Sequence, residues 1–313
     1  METIESKIFY SSLILIAVGS VSTKNLILVG KNQKTFLTHY TEFHTPKIQH
    51  CFSKCHYDKS CYSLEVVQTT LYHCKFHNQF IKRSNRTTES NTNIYSEIRS
   101  CDDLFDIGIK NTGAYEMNFM GEGKKMIRCY FDEDGGWLVF QRRVDASVNF
   151  NIGWDFYKNG FGDPRGSFWL GNDLIHEVTN QAQHQIRIVL TTFTGGVSIS
   201  KYDHFEVASE AMKYQLTATN FSQGFDLFKS CDGMFFSTTD RDNDIRADGN
   251  CAQRKTRGGF WYEKCGNFFP NGVYYEESDS FKPDPHLYHG IRYTNWNSLY
   301  TLKSVEMMIK RKE

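Results

Sequence analysis

The sequence predicts an α+β protein in two unequal parts: a small disulfide-stapled module, then a large loop-rich domain. Three observations predict it. Cysteines crowd one short stretch (Cys51, Cys55, Cys61, Cys74) and then thin out to Cys101, Cys129, Cys231, Cys251 and Cys265. Aromatic residues make up 15% of the chain, a content that builds packed cores and that a disordered chain lacks. Apolar stretches that read as strands, such as Trp137–Phe140 and Ile186–Phe193, alternate with helical patterns near Asn151–Tyr157 and Asn172–Asn180, punctuated by Gly and Asp/Asn clusters.

The N-terminus reads as a targeting segment. Lys7 precedes an apolar run from Ile8 to Val18, and Ala17, Gly19, Ser20 and Ser22 follow. That order predicts a secretory signal peptide over residues 1–22. A signal anchor is the rival, although the run is short for a bilayer core of ~30 Å. No later segment is apolar enough to span a membrane. Secretion, with an extracellular location, agrees with nine cysteines. Sequons at Asn85 and Asn220 add candidate glycan sites, Asn85 in the more polar setting. With 36 basic and 36 acidic residues the net charge is zero, so no strong field draws in nucleic acid or an anionic membrane.

Within the small module, Pro46–Lys54 predicts a short helix that places Cys51 and Cys55 on one face. Tyr62–Val67 and Leu71–Phe76 predict a hairpin turning at Thr69-Thr70. Helix and hairpin are then positioned for stapling; zinc is the rival use of four cysteines, disfavoured in an oxidising compartment. The spacing Cys-x3-Cys-x5-Cys-x12-Cys resembles the PAN or apple module. The resemblance covers residues 36–97 and implies Cys55–Cys61 nested inside Cys51–Cys74, without the further terminal disulfide of full apple domains. Such modules bind proteins or carbohydrates; a mere spacer is the alternative. Ser84–Asn93, with no apolar residue, reads as a linker.

Over residues 98–313 several motifs follow in order. They are Cys101-Asp102-Asp103-Leu104, Asp134-Gly135-Gly136-Trp137, Val139-Phe140-Gln141-Arg142-Arg143 and Gly166-Ser167-Phe168-Trp169-Leu170-Gly171. Phe236-Ser237-Thr238-Thr239-Asp240-Arg241-Asp242-Asn243-Asp244, Asn250-Cys251-Ala252 and Gly258-Gly259-Phe260-Trp261-Tyr262 complete the set. This resembles the fibrinogen C-terminal domain found in ficolins, tachylectins and related lectins. The resemblance implies mixed antiparallel sheets with a loop-rich calcium and ligand subdomain, and the disulfides Cys101–Cys129 and Cys251–Cys265. Each such staple contributes ~3 kcal/mol by chain entropy.

Asp240, Asp242, Asp244 and Asp248 crowd nine positions, where like charges repel unless a cation or water compensates. A solvated acidic loop is the alternative to metal. The resemblance implies a Ca2+ held by the Asp242 and Asp244 carboxylates and by main-chain oxygens near Arg246 and Asp248. It also implies a cis peptide at Asn250–Cys251, with the N–H groups of Cys251 and Ala252 turned toward an acetyl ligand. Tyr262, Tyr274, Tyr293 and Trp296 are the candidate aromatic walls, with burial for packing as the alternative. Gly266 stands where many acetyl-binding members have His. Arg254 and Lys255 stand near the place where clotting members carry an acidic group for a peptide amine, so anionic ligands are favoured.

The main functional expectation is therefore a secreted calcium-dependent lectin for acetylated or anionic glycans on microbial or cell surfaces, in innate immunity. The alternative is an extracellular-matrix or signalling ligand that binds protein partners. Catalysis is not expected: Asp173 and His176 lie close, but no nucleophile elbow, metal-binding His pair or phosphate loop accompanies them. If the four implied disulfides form, Cys231 is left over, either as a disulfide to a second copy in a homo-oligomer or as a buried thiol.

Overall fold

The computed structural model describes residues 26–35, 37–58, 60–77, 86–119, 123–254, 257–277, 289–296 and 301–312. The expected signal peptide and the sequon at Asn85 lie outside these residues.

The N-terminal part is a five-stranded antiparallel sheet with one helix. Its elements are β1 (Leu26–Thr35), β2 (Thr41–Thr45), α1 (Ile48–Tyr57), β3 (Ser63–Gln68), β4 (Tyr72–His77) and β5 (Arg86–Glu97), in the order β1-β5-β3-β4-β2. One face of the hairpin carries Leu64, Val66, Cys74 and Phe76, all buried against Cys51 and Cys55 of α1. Two nested disulfides, Cys51–Cys74 and Cys55–Cys61, tie helix to hairpin. The opposite face is polar: Glu65 is buried with Lys75 at 3.0 Å and accepts from the Thr35 N–H at 2.9 Å.

The linker expected at Ser84–Asn93 is instead most of β5, paired on one side with β1 and on the other with β3. Its Thr-rich sequence suits an extended backbone. The segment Lys31–Thr35 supplies the partner that a reading of the polar segment by itself leaves out.

A short helix, α2 (Cys101–Asp106), opens the large domain with a capping box. Ser100 Oγ accepts from the Asp103 N–H at 3.0 Å, while the Asp103 carboxylate accepts from the N–H groups of Ser100 and Arg99. The same carboxylate accepts the Tyr62 hydroxyl at 2.6 Å, and the Arg99 guanidinium lies over the Tyr62 ring at 4.1 Å. This joins the two parts of the chain. Cys101–Cys129 pins α2 to the sheet.

That sheet uses β6 (Gly113–Phe119), β7 (Gly123–Asp132), β8 (Gly135–Arg143), β9 (Phe161–Gly162), β10 (Phe168–Trp169), β11 (His184–Thr191), β12 (Val197–Val207), β13 (Leu216–Gln223) and, late in the chain, the strand Ser304–Arg311. The late strand lies between β11 and β8, antiparallel to both. The helices α3 (Trp154–Asn159) and α4 (Asn172–Asn180) cover it. Two-residue pairs complete the loop-rich end: β14 (Phe236–Ser237) with β15 (Phe260–Trp261), and β16 (Phe268–Phe269) with β17 (Arg292–Tyr293). The Ser304–Arg311 strand is β18.

An aromatic core joins these layers. Tyr157, Trp169, Phe236 and Trp261 pack edge-to-face or tilted, with centroid distances from 5.1 to 5.7 Å. Their polar atoms are matched: Trp261 Nε1 donates to the Tyr214 carbonyl at 2.7 Å and Trp169 Nε1 to Asn172 Oδ1 at 3.0 Å. Because Phe236 and Trp261 are also the β14–β15 rung, the long loop between those strands is seated directly on the core.

Candidate functional site

The loop from Thr238 to Gly259 carries the clustered aspartates. Its backbone is held by side chains the sequence places within it. Asn243 donates its N–H to Ser237 Oγ and its amide to the Phe236 carbonyl, at 3.0 and 2.8 Å. Asn250 donates to the Thr238 carbonyl at 2.8 Å, and Cys251–Cys265 closes the far side.

The four carboxylates do not converge. Asp240 turns to the core, accepting from the Trp154 N–H at 2.8 Å and the Thr238 hydroxyl at 2.6 Å. Asp248 pairs with the Arg246 guanidinium at 2.8 Å, which holds its carboxyl below the usual range. Asp242 and Asp244 remain together: the Asp244 N–H donates to Asp242 Oδ1 at 3.3 Å. Burial, with the neighbouring Asp242 charge behind it, pushes the Asp244 carboxyl up. Among the described residues no three acidic, His or Cys side chains form a metal cage. The residues that fit a cation are the Asp242–Asp244 pair. The Arg246 side chain does not fit, since it brings a positive charge and occupies the Asp248 carboxylate.

The expected acetyl pocket is corrected at several points. All described peptide bonds are trans, Asn250–Cys251 included. The Cys251 N–H donates to Asp244 Oδ2 at 2.8 Å and the Ala252 N–H to Asn250 Oδ1 at 2.7 Å, so both donors point into the loop. Tyr262 is buried, and its hydroxyl donates toward the carbonyls of Gly258 and Arg257. Tyr274 is half-buried, with its hydroxyl on the carbonyls of Val144 and Lys303 at 2.8 and 3.0 Å. Tyr293 and Trp296 flank Phe225, at 5.2 and 5.7 Å, away from the Tyr262 hydroxyl bonds. The six candidates are thus structural partners in or against the aromatic core. Gly266 adopts φ +59, next to Cys265 at φ +75, so a bend where other members carry His runs through the left-handed region.

The loop's distinctive charge is positive. Arg257 is buried with its guanidinium 4.1 Å over the Phe269 ring. Burial, reinforced by Arg254, Arg246 and Arg292, lowers its proton affinity. Arg292, also buried, is the strand partner of Phe269. Sequence reasoning singled out Arg254 but missed Arg257 and Arg292; their proximity depends on the β16–β17 pairing, which leaves no periodic signal. Lys255 lies outside the described residues.

Cys231 is buried at 5% exposure, and desolvation pushes its thiol up to about 12. Its N–H bonds the Phe228 carbonyl at 2.8 Å in a turn that carries the side chain inward between exposed Lys229 and Asp232. A disulfide to a second copy through Cys231 is therefore overturned.

A family model for the C-terminal globular domain of fibrinogen beta and gamma chains matches residues 97–312, more than half of the chain. The chain belongs to this family. Mouse angiopoietin-2 is 36% identical over 218 residues, 68% of this chain and 42% of angiopoietin-2. Human fibrinogen-like protein 1 is 33% identical over 249 residues, covering 74% of this chain and 78% of that protein. The chain thus spans less than half the length of the angiopoietin relatives. Among solved structures, the fibrinogen-like globe domain of human ANGPTL6 matches at TM-score 0.64 and 31% identity, covering 68% of this chain and 95% of that one. Lamprey fibrin D-dimer, complexed with a Gly-His-Arg-Pro-amide peptide ligand, matches at TM-score 0.60 and 31% identity, over 67% of this chain and 72% of that one.

These relatives overturn the glycan-binding expectation. The fibrinogen-related domain resembles angiopoietin-2, fibrinogen-like protein 1 and ANGPTL globe domains, which favours the signalling or matrix-ligand alternative. The turned-in donors at Cys251 and Ala252 remove the geometry on which acetyl recognition rested. None of these relatives is named as an enzyme, and the Asp173 and His176 side chains serve the fold. Asp173 accepts the Tyr214 hydroxyl at 2.5 Å, and His176 Nδ1 lies 2.8 Å from the Val207 carbonyl. No described helix is long and apolar enough to cross a membrane.

Proposed function

We propose that this protein is a secreted extracellular ligand that binds protein partners through its fibrinogen-like domain. The observation that carries this reading is the 36% identity to angiopoietin-2 over 218 residues. It is supported by the same fold in a lamprey fibrin fragment complexed with a peptide. The contact face is the loop around Cys251–Cys265. Its exposed Arg254, with the positive charge of buried Arg257 and Arg292 behind it, favours a partner that offers carboxylates over one that offers an amine.

Calcium belongs to the same proposal as a brace for that face. Asp242 and Asp244 would hold it with main-chain oxygens near Arg246 and Asp248, and the ion would neutralise two adjacent carboxylates. The small module, with its nested disulfides, is read as PAN/apple-like and as a second protein-binding surface.

The test is binding of purified full-length protein to cells. Trypsin shaving of the cells abolishes binding, N-acetyl sugars leave it unchanged, and Arg254→Glu weakens it about tenfold, the effect of ~1.4 kcal/mol. Binding that survives shaving and is displaced by sugar overturns the reading. Calorimetry at millimolar calcium tests the brace, with Asp242→Asn as the control.

A further inference from the structure

β13 is an outer strand of the nine-stranded sheet. The first half of its outer edge is closed by the turn that follows. Leu216 N–H donates to the Met234 carbonyl at 3.0 Å, Gly233 N–H to the Leu216 carbonyl at 2.9 Å, and Ala218 N–H to Asp232 Oδ1 at 2.8 Å. The second half is different. Asn220 through Gly224 are all exposed, Phe221 at 42%. Asn220 sits at φ +58, and the register with β12 slips by one residue between Lys201 and Tyr202.

An open strand edge bearing an exposed aromatic side chain is a template for pairing with another chain. Proteins blunt such edges with lysine, proline, a covering loop or a bulge. Asn220–Gln223 (Asn-Phe-Ser-Gln) carries neither a charge nor a proline, and the covering turn stops at Ala218. Among the described residues only the bulge remains, with Ser222 as its extra residue. Two residues before it, Asn220 holds a left-handed backbone, and Asn is among the few non-glycine types that occupy that region at modest cost.

The same three residues, Asn220-Phe221-Ser222, form an N-glycosylation acceptor, with a residue other than proline between Asn and Ser. We propose that Asn220 carries an N-linked oligosaccharide and that this glycan is the shield of the open sheet edge. In the transfer, the Asn220 amide nitrogen forms a bond to C1 of the sugar of a lipid-pyrophosphate-linked oligosaccharide. The C1–O bond to pyrophosphate breaks, the lipid pyrophosphate leaves with the electron pair, and the amide loses one proton. No atom changes oxidation state. A glycan anchored at Asn220, two residues from the bulge, is large and hydrated, and it denies a second strand access to residues 220–223. The inference rests on the secreted reading, because the donor is met only on the secretory route.

The experiment uses the full chain expressed in a eukaryotic secretory host. Enzymatic release of N-glycans in 18O-water marks each occupied Asn as a labelled Asp, read by peptide mass mapping. Asn220 is expected to carry the label in protein recovered from the medium. Unlabelled Asn220 in secreted protein overturns this site and leaves secretion standing. Protein retained inside the cell, with no sequon labelled, overturns the secreted reading and this inference with it.

The shielding role has its own readout. Ser222→Ala and, separately, Asn220→Asp both remove the acceptor, and Asp preserves tolerance for the left-handed backbone. Sedimentation velocity at milligram concentrations is expected to show concentration-dependent self-association of both variants, absent from the glycosylated protein. Adding Phe221→Lys to Ser222→Ala is expected to restore the monomer. Unglycosylated variants that remain monomeric overturn the role of the glycan as an edge shield.

Discussion

The two parts of this chain solve the same problem with different means. Below Glu97 a thin core of Leu64, Val66 and Phe76 is closed by two disulfides within 24 residues of sequence. Above it, four buried tryptophans and their aromatic neighbours form a continuous core, and the two disulfides sit at its margins, on α2 and on the aspartate loop. The difference teaches what the same covalent bond does in each setting. Where apolar area is scarce, the crosslink replaces it. Where apolar area is abundant, the crosslink positions a surface loop or a terminal helix.

The sharpest way to break this comparison is to remove one staple from each part. Cys51→Ala with Cys74→Ala is expected to cost about 2–5 kcal/mol and unfold the small module. Cys251→Ala with Cys265→Ala should leave the aromatic core folded and loosen only the loop between β14 and β15. Hydrogen exchange resolved by region measures both. Global unfolding by the second pair would erase the distinction.

Acid tests the large domain next. His184 is buried in β11, and desolvation pushes its imidazole down to about 4. Its pKa is depressed on folding, so its contribution is fully present above about 6.5 and is lost as pH falls through about 4. A loss of roughly 3 kcal/mol is expected from the large domain across that window. His184→Gln should flatten the acid limb of a denaturant-midpoint against pH curve. An unchanged limb would show that His184 is not the responsible group.

A smaller effect is expected at the junction. Tyr62→Phe removes the hydroxyl that donates to buried Asp103, at a cost of about 1–3 kcal/mol. Burial raises the Asp103 carboxyl, so its own contribution is greatest below the ordinary carboxylate range and declines as pH rises through the folded value. Small-angle scattering of the Tyr62→Phe variant should show a broader distribution of shapes, with both parts still folded. An unchanged profile would show that other contacts hold the parts together.

The smallest expected change concerns Cys231. Its thiol should resist iodoacetamide in native protein and react once after unfolding, and Cys231→Ser should leave mobility in non-reducing gels unchanged. Rapid native alkylation would contradict its burial.

Much of this architecture was legible. α4 occupies Asn172–Asn180 as its pattern predicts, and α1 and the β3–β4 hairpin lie within three residues of theirs. Those elements have strong local signals. β5 was not legible because its polar residues owe their extended form to β1, over fifty residues earlier at the paired positions. Cys231 misled for a related reason: its neighbours are polar and exposed, yet a single turn at Phe228 inverts its side chain. At the loop, spacing revealed which aspartates cluster. It did not reveal that Trp154 claims Asp240, a partner 86 residues away that tertiary packing brings in, nor which carboxylate the neighbouring Arg246 takes.

The placement of β18 sets the timing of synthesis. Residues 304–311 fill the gap between β11 and β8, so while the ribosome is still making them the large domain has two unpaired interior edges. The small module has no such dependence and is complete more than two hundred residues earlier. It can close while its neighbour waits unfinished, and a stop codon before Ser304 would discard the larger part and spare the smaller.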